Sequence, residues 1–186
     1  MGKLILVSIL MIGATLSAQS TWKADKAHSS INFSITHLMI SEVQGKFADF
    51  DIKATANEAF DSPSFKVSIQ TTSVDTDNAR RDDDLRSDRF FEVAAYPTMT
   101  FTTTSYEKTG DKTFILKGDL NLHGVTKPVV LEGKLNGIIT DQRSQKLKAG
   151  LKLTGTLNRQ DFNVGADRAP VGDEVAMTIN LEMAQQ

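Results

Sequence analysis

The chain has 186 residues, 21 lysines and arginines against 23 aspartates and glutamates, a formal net charge of −2, 40% hydrophobic residues and no cysteine. That balance, with no long basic run, gives nucleic-acid binding no electrostatic support. The missing cysteines remove disulfides, thiol chemistry and any sulfur-linked lipid anchor, and the length suits one domain that buries a core without staples.

The first eighteen residues read as a targeting segment and not as fold. Lys3 supplies a positive start, Leu4 to Leu16 is an apolar run broken only by small residues, and Leu16-Ser17-Ala18 suits a signal peptidase. The run is short for a bilayer span, and polar residues follow it. The expectation is a signal peptide over 1–18, a single domain over 19–186, export to a periplasm-like space and no stable membrane insertion. An uncleaved anchor is the rival reading.

Beyond the leader, short strands dominate. Ile31, Phe33 and Ile35 alternate with Asn32, Ser34 and Thr36, the pattern of a half-buried strand. A second strand runs from Val43 through Gly45 and Phe47 and then changes phase, so that Phe50 and Ile52 carry its apolar face. A phase change within one strand predicts a bulge or sharp bend, with Gly45 to accommodate it. Phe65, Val67 and Ile69 mark a third strand after Pro63.

The stretch from Arg80 to Phe101 differs. Between Arg80 and Arg89 it holds four arginines and four aspartates around Leu85, and then Phe90, Phe91 and the Tyr96-Pro97 step. This is the one substantial helix, capped at Asp77 and ended before Pro97, which cannot sit mid-helix. Asp82 and Arg86 lie one turn apart and are expected to pair on the wet face, with Leu85 turned inward.

Met99 and Phe101 begin a fourth strand, and Thr109-Gly110-Asp111 turns it into a fifth with Leu116, Gly118, Leu120 and Leu122. His123-Gly124 leads tightly into a sixth with Val129, Leu131 and Gly133. The seventh carries Leu147, Ala149, Leu151, Leu153 and, past Gly155, Leu157; the last carries Val175, Met177, Ile179, Leu181 and Met183. About eight antiparallel strands, apolar on one face only, close on themselves and so remove their edges. The fold class is all-β: a single antiparallel eight-stranded up-and-down barrel with one inserted helix.

Several pieces of this chain carry a family resemblance. They are Trp22-Lys23-Ala24-Asp25, His28-Ser29-Ser30-Ile31-Asn32-Phe33, His37-Leu38, Gly45-Lys46-Phe47 and the block Arg81 to Ser87. Phe90-Phe91-Glu92-Val93, Tyr96-Pro97, Gly118-Asp119-Leu120, Gly124 to Val129, Arg159-Gln160-Asp161-Phe162 and Val171 to Val175 continue the series. In order and spacing the chain resembles the YceI-like family of bacterial periplasmic proteins. The resemblance implies a lipocalin-like barrel that binds a polyisoprenoid or quinone-type lipid, and it allows a homodimer that no sequence feature requires. The family usually has His before the Leu of its central block where this chain has Asp84, which puts any role of that His in doubt here.

An eight-stranded barrel either fills its interior or holds one small ligand. The inward rows give Phe33, Ile35, Phe47, Phe101, Leu120, Leu122, Leu151, Met177 and Ile179, which form an ordinary core or, as the resemblance implies, the wall of a ligand tunnel. Gly118, Gly133 and Ala149 in the same rows would leave room near the axis. Phe90 and Phe91 either close one end or glue the helix to the barrel, and Trp22 is expected to cap an end. Arg81 or Arg86 either belongs to a self-neutralising surface or grips a lipid head group with its planar fork. His28, His37 and His123 are too scattered for a zinc site, so no metal is expected, nor any cofactor. The chain is read as a non-enzymatic lipid binder. The alternatives are an enzyme using His37, Asp82 and Arg81, against which stands the lack of any nucleophile elbow or phosphate loop, and an envelope stress or scaffold protein with a solid barrel.

Overall fold

The computed structural model describes residues 18–165 and 170–186. The expected leader, apart from Ala18, lies outside the described residues. Eleven strands are present: β1 (Ser20–Ala24), β2 (Ser30–His37), β3 (Ser41–Phe47), β4 (Phe50–Ala56), β5 (Ser64–Gln70), β6 (Val74–Asp75), β7 (Thr98–Lys108), β8 (Thr113–Leu122), β9 (Val125–Thr140), β10 (Leu147–Asn158) and β11 (Val171–Gln185). The helix α1 spans Ala79–Arg86.

Eleven strands make eight staves, because the first three staves are each broken in two. β1 and β2 lie end to end along one edge of β11, which pairs with Trp22–Ala24 through Met183–Gln185 and with Ser30–His37 through Val171–Asn180. β3 pairs with β2 and β4 with β1; β5 pairs with β4 and β6 with β3. The remaining staves follow in chain order from β7 to β11, every neighbour antiparallel, and the β1–β11 pairing closes the ring. This is the expected closed eight-stranded barrel with one helix.

The phase change expected within one strand is a break, not a bulge. Ala48 and Asp49 separate β3 from β4, and their backbones bond to Ser73 and Gln70 of the neighbouring stave at 3.0 and 2.9 Å. Gly45 is not the bend. It lies opposite Phe33 in regular pairing, and a Cβ there would stand 2.4 Å from the Phe33 ring. The same arrangement recurs at Gly133, whose absent Cβ would lie 2.1 Å from the ring of Phe114 opposite it, and at Gly118 beneath Phe101. These glycines therefore berth aromatic rings from the next stave.

Trp22 sits in the middle of β1, a strand the sequence pattern does not mark, and is fully buried. Its Nε1 donates to the Ala56 carbonyl at 3.3 Å, and its ring meets Phe60 edge-on at 4.9 Å. With Ala24, Ala54, Ala149 and Met183, all buried, it makes a solid layer across one end of the barrel. Trp22 thus caps that end, as expected.

At the other end α1 begins one residue later than the sequence suggested. The cap is Asn78, whose side chain accepts from the Arg81 N–H at 3.1 Å; Asp77 instead takes a left-handed φ of 57°. Asp82 does not pair with Arg86 on a wet face. It is buried, and its Oδ1 accepts from both the N–H and the hydroxyl of Thr76 at 2.9 and 2.6 Å. Arg81 donates to the Thr76 hydroxyl and carbonyl at 2.8 and 2.7 Å, while Arg86 donates to the carbonyls of Thr72 and Val74 and pairs with Asp83. The charged block laces the helix to the end of the third stave, and Leu85 does face inward.

Two outcomes follow for stability. Gly133→Ala is expected to lower it by about 1–3 kcal/mol in urea unfolding, because the buried Phe114 has nowhere to turn; adding Phe114→Leu should make the pair cost less than the sum. Asp82→Ala strands two donors of Thr76 and is expected to cost about 1–3 kcal/mol, with faster amide exchange over Ala79–Arg86 than elsewhere in the barrel.

Candidate ligand-binding site

Between the Trp22 layer and α1 the barrel is hollow. The cavity encloses about 920 Å³, near the top of the range for pockets that hold a small molecule. Its walls come from alternate residues of nearly every stave, since successive strand side chains point to opposite faces. Along β11 the inward residues Val175, Met177, Ile179 and Leu181 line it, and Met183, the next inward residue, belongs to the solid layer. The interior is therefore filled in one half and open in the other.

Glycine makes this space, though not in the way expected. Gly118, Gly133 and Ala149 do not line the cavity. Gly118 and Gly45 instead let the rings of Phe101 and Phe33, both lining residues, lie flat along the wall and not across the lumen.

Of the twelve residues singled out from the sequence, the structure brings eleven to the cavity wall: Phe33, Ile35, Phe47, Arg81, Phe90, Phe91, Phe101, Leu120, Leu122, Met177 and Ile179. Leu151 is the exception. It is buried in register between Leu135 and Leu181 and packs outside the cavity. Phe91 meets Phe47 edge-on at 5.7 Å, so it glues the helix segment to the barrel. Phe90 reaches across towards Gly165, where a Cβ would lie 2.9 Å from its ring, and so it both lines the lumen and narrows its mouth.

The polar residues gather at the mouth. Asn78, Arg80, Arg81, Asp83, Asp84, Ser87, Asp88 and Arg89 all border the cavity, facing His37 and Pro170 on other staves. Arg86 does not border it, and its fork is committed to the backbone of Thr72 and Val74. Asp84 accepts from Arg89 at 2.9 Å, so the position where the family usually has His carries half of an ion pair on the rim. Two arginines were missed from the sequence. The Arg80 side chain has no hydrogen bond or ion pair among the described residues, which leaves its guanidinium available at the mouth. Arg159 is buried against the cavity and donates to the carbonyls of Gly172 and Val164 and to Asp173, so it ties Val164 to the first residues of β11. Nothing in the periodicity marked Arg159, because alternation says nothing of an arginine that bonds to two backbone carbonyls and a carboxylate later in the chain.

The three residues of the enzymatic alternative do not come together at the cavity wall. His37 and Arg81 border the cavity, but Asp82 does not and is held by Thr76. The histidines differ: His28 pairs through its ring, whereas neither ring nitrogen of His123 has a hydrogen-bond partner among the described residues. His28 Nδ1 lies 3.0 Å from Asp25, whose carboxylate raises the imidazole above its ordinary pKa of 6.5 and is itself lowered by the contact. Asp25, His28 and Glu182 come together at the closed end, where the Lys148 ammonium already holds Glu182 at 2.8 Å. His123 meets Tyr96 at a tilt, with ring centres 4.4 Å apart, and lies 3.5 Å from Glu92, tying the β8–β9 turn to the segment after α1.

A YceI-like domain matches residues 22–183. Protein YceI of Escherichia coli O157:H7 is 43% identical over 180 residues, covering 95% of this chain and 93% of that protein. Among solved structures, the Campylobacter jejuni YCEI protein superposes with a TM-score of 0.74 at 32% identity, covering 82% of this chain and 90% of that one. A polyisoprenoid binding domain from Saccharophagus degradans shares the fold with a TM-score of 0.64 at 16% identity, covering 89% of this chain and 98% of that one. The barrel with its single helix and the match across almost all of the described chain agree: this protein belongs to the YceI-like family.

Proposed function

We propose that this protein binds a long apolar isoprenoid, of the polyprenol or quinone type, with the tail in the barrel and the head group at the arginine-bearing mouth, and so sequesters or carries it in a periplasm-like compartment. The observation that carries this reading is the cavity: about 920 Å³, walled mainly by aliphatic and aromatic side chains, solid at the Trp22 end and with its polar residues concentrated at the mouth. Each methylene-sized group moved from water into such a lumen contributes roughly 0.8 kcal/mol, so about a dozen contribute roughly 10 kcal/mol. That is enough to offset the cost of association without any specific polar contact. The polyisoprenoid binding of the fold neighbour from Saccharophagus degradans supports the ligand class, and the leader-like first eighteen residues support export. Arg80 and Arg81 are the groups that would meet an oxygen-rich head group. A solid-barrel scaffold requires a filled interior, and the interior is half open.

Native mass spectrometry of protein purified gently from its own envelope, followed by organic extraction, is expected to show a stoichiometric adduct with isoprenoid-spaced fragments. An empty protein that also refuses added prenyl lipids sinks the reading. Met177→Trp places a large ring in the lumen and is expected to weaken binding at least about tenfold while leaving the unfolding transition within about 1–2 kcal/mol of the parent. Arg80→Ala together with Arg81→Ala is expected to flatten the preference among head groups and to leave tail-driven binding in place. Cell fractionation that finds the mature chain in the cytoplasm overturns the proposed compartment.

A further inference from the structure

We propose that the turn between β2 and β3, Leu38-Met39-Ile40, is a wedge that seats the mouth of the barrel on a lipid bilayer. The proposal rests on the cavity being a prenyl-lipid site and names the surface with which that site exchanges its ligand. Leu38, Met39 and Ile40 are 58%, 86% and 85% exposed, three consecutive large apolar side chains in water. The other large exposed apolar residues among those described, Val130 and Ile139, stand singly on β9.

The wedge sits on the rim of the cavity. His37 before it and Val43 after it line the lumen, and the Leu38 N–H donates to the carbonyl of Pro170, another rim residue, at 2.9 Å. Its backbone is held in an uncommon form. Leu38 and Met39 have φ of 49° and 62°, the left-handed region that tight hairpin turns normally fill with glycine or asparagine. A polar turn would sit there with less strain and better hydration, so this turn is suited to something other than water.

Three side chains on a hairpin tip are a small fraction of the roughly 800 Å² per partner that a specific protein interface buries. A bilayer asks for no such area or shape match, because it takes up each apolar side chain in proportion to its surface. The rim also interleaves Arg80, Arg81 and Arg89 with Asp83, Asp84 and Asp88, so charge gives the approach little net direction. The association is thus apolar and persists in high salt and on vesicles without anionic lipid.

The chain has no cysteine, so Ile40→Cys provides a single site for an environment-sensitive fluorophore. With vesicles of phosphatidylethanolamine, with and without phosphatidylglycerol, the label is expected to shift to the blue and the protein to cosediment. The triple variant Leu38→Asn, Met39→Gly, Ile40→Ser relieves the backbone strain and should lower vesicle partitioning on the order of 100-fold or more. It should bind a short prenyl alcohol presented without vesicles as the parent does, which also reports a folded barrel. Transfer of a prenyl lipid between vesicle populations should slow in step with partitioning. A triple variant that partitions like the parent, or a parent that ignores vesicles and is captured only by a protein acceptor, overturns the wedge. A parent that docks through the tip but refuses the prenyl alcohol upholds the wedge and sinks the cavity reading instead.

Discussion

The closure of β11 is the constraint on which this molecule depends. That strand is hydrogen-bonded to β10 on one side and to β1 and β2 on the other, so the last element of the chain joins the first and the sheet closes on itself. Closure also creates an inside. Once the sheet is a ring, each strand must commit its alternate residues to a lumen whose width is set by eight staves, and the question becomes how much of that lumen the side chains fill. Around Trp22 they fill it. Towards α1 they do not, because the rings that could cross the axis are laid on glycines of the next stave.

The charged block shows how a surface-like sequence can do internal work. Four arginines beside four aspartates suggest a solvated, self-neutralising helix, and in part that is what they are: Arg89 with Asp84 and Arg86 with Asp83 pair on the outside. But Asp82 is buried, and both Arg81 and Arg86 donate to carbonyls of the chain just before the helix. A helix of eight residues is too short to stand alone in water. These bonds hold it over the mouth, which frees Arg80 and one side of the Arg81 fork to face the lumen.

The barrel was legible because its signal is periodic and repeated: alternation of apolar and polar residues over eight segments fixes which face is buried, independent of detail. What alternation could not show was anything set by a neighbour distant in sequence. Ser20–Ala24 was missed as a strand because five residues with two apolar positions carry too little pattern; it is β4 and β11 that make it one. Asp77 and Asn78 are both good caps, and only the left-handed turn at Asp77 decides between them. Gly118 and Gly133 in the inward rows read as empty space, whereas each holds a ring supplied by a different strand. Leu151 was indistinguishable from Leu153 by pattern, yet only Leu153 reaches the cavity, because the boundary between filled and open halves falls between them. Arg159 was invisible for the same reason, since Gly172 and Asp173 reach it from the next stave.

The solid layer at Trp22 makes the lumen a ruler. A tube open at both ends can thread a chain of any length, but one with a floor accepts a tail only to a fixed depth, tip first. A tail shorter than that depth draws its head group down to the arginines of the rim; a longer one holds its head group out beyond them. On the proposed function, chain length and head-group recognition would thereby be coupled in one measurement of distance, with the sole tryptophan of the molecule at the zero of the scale.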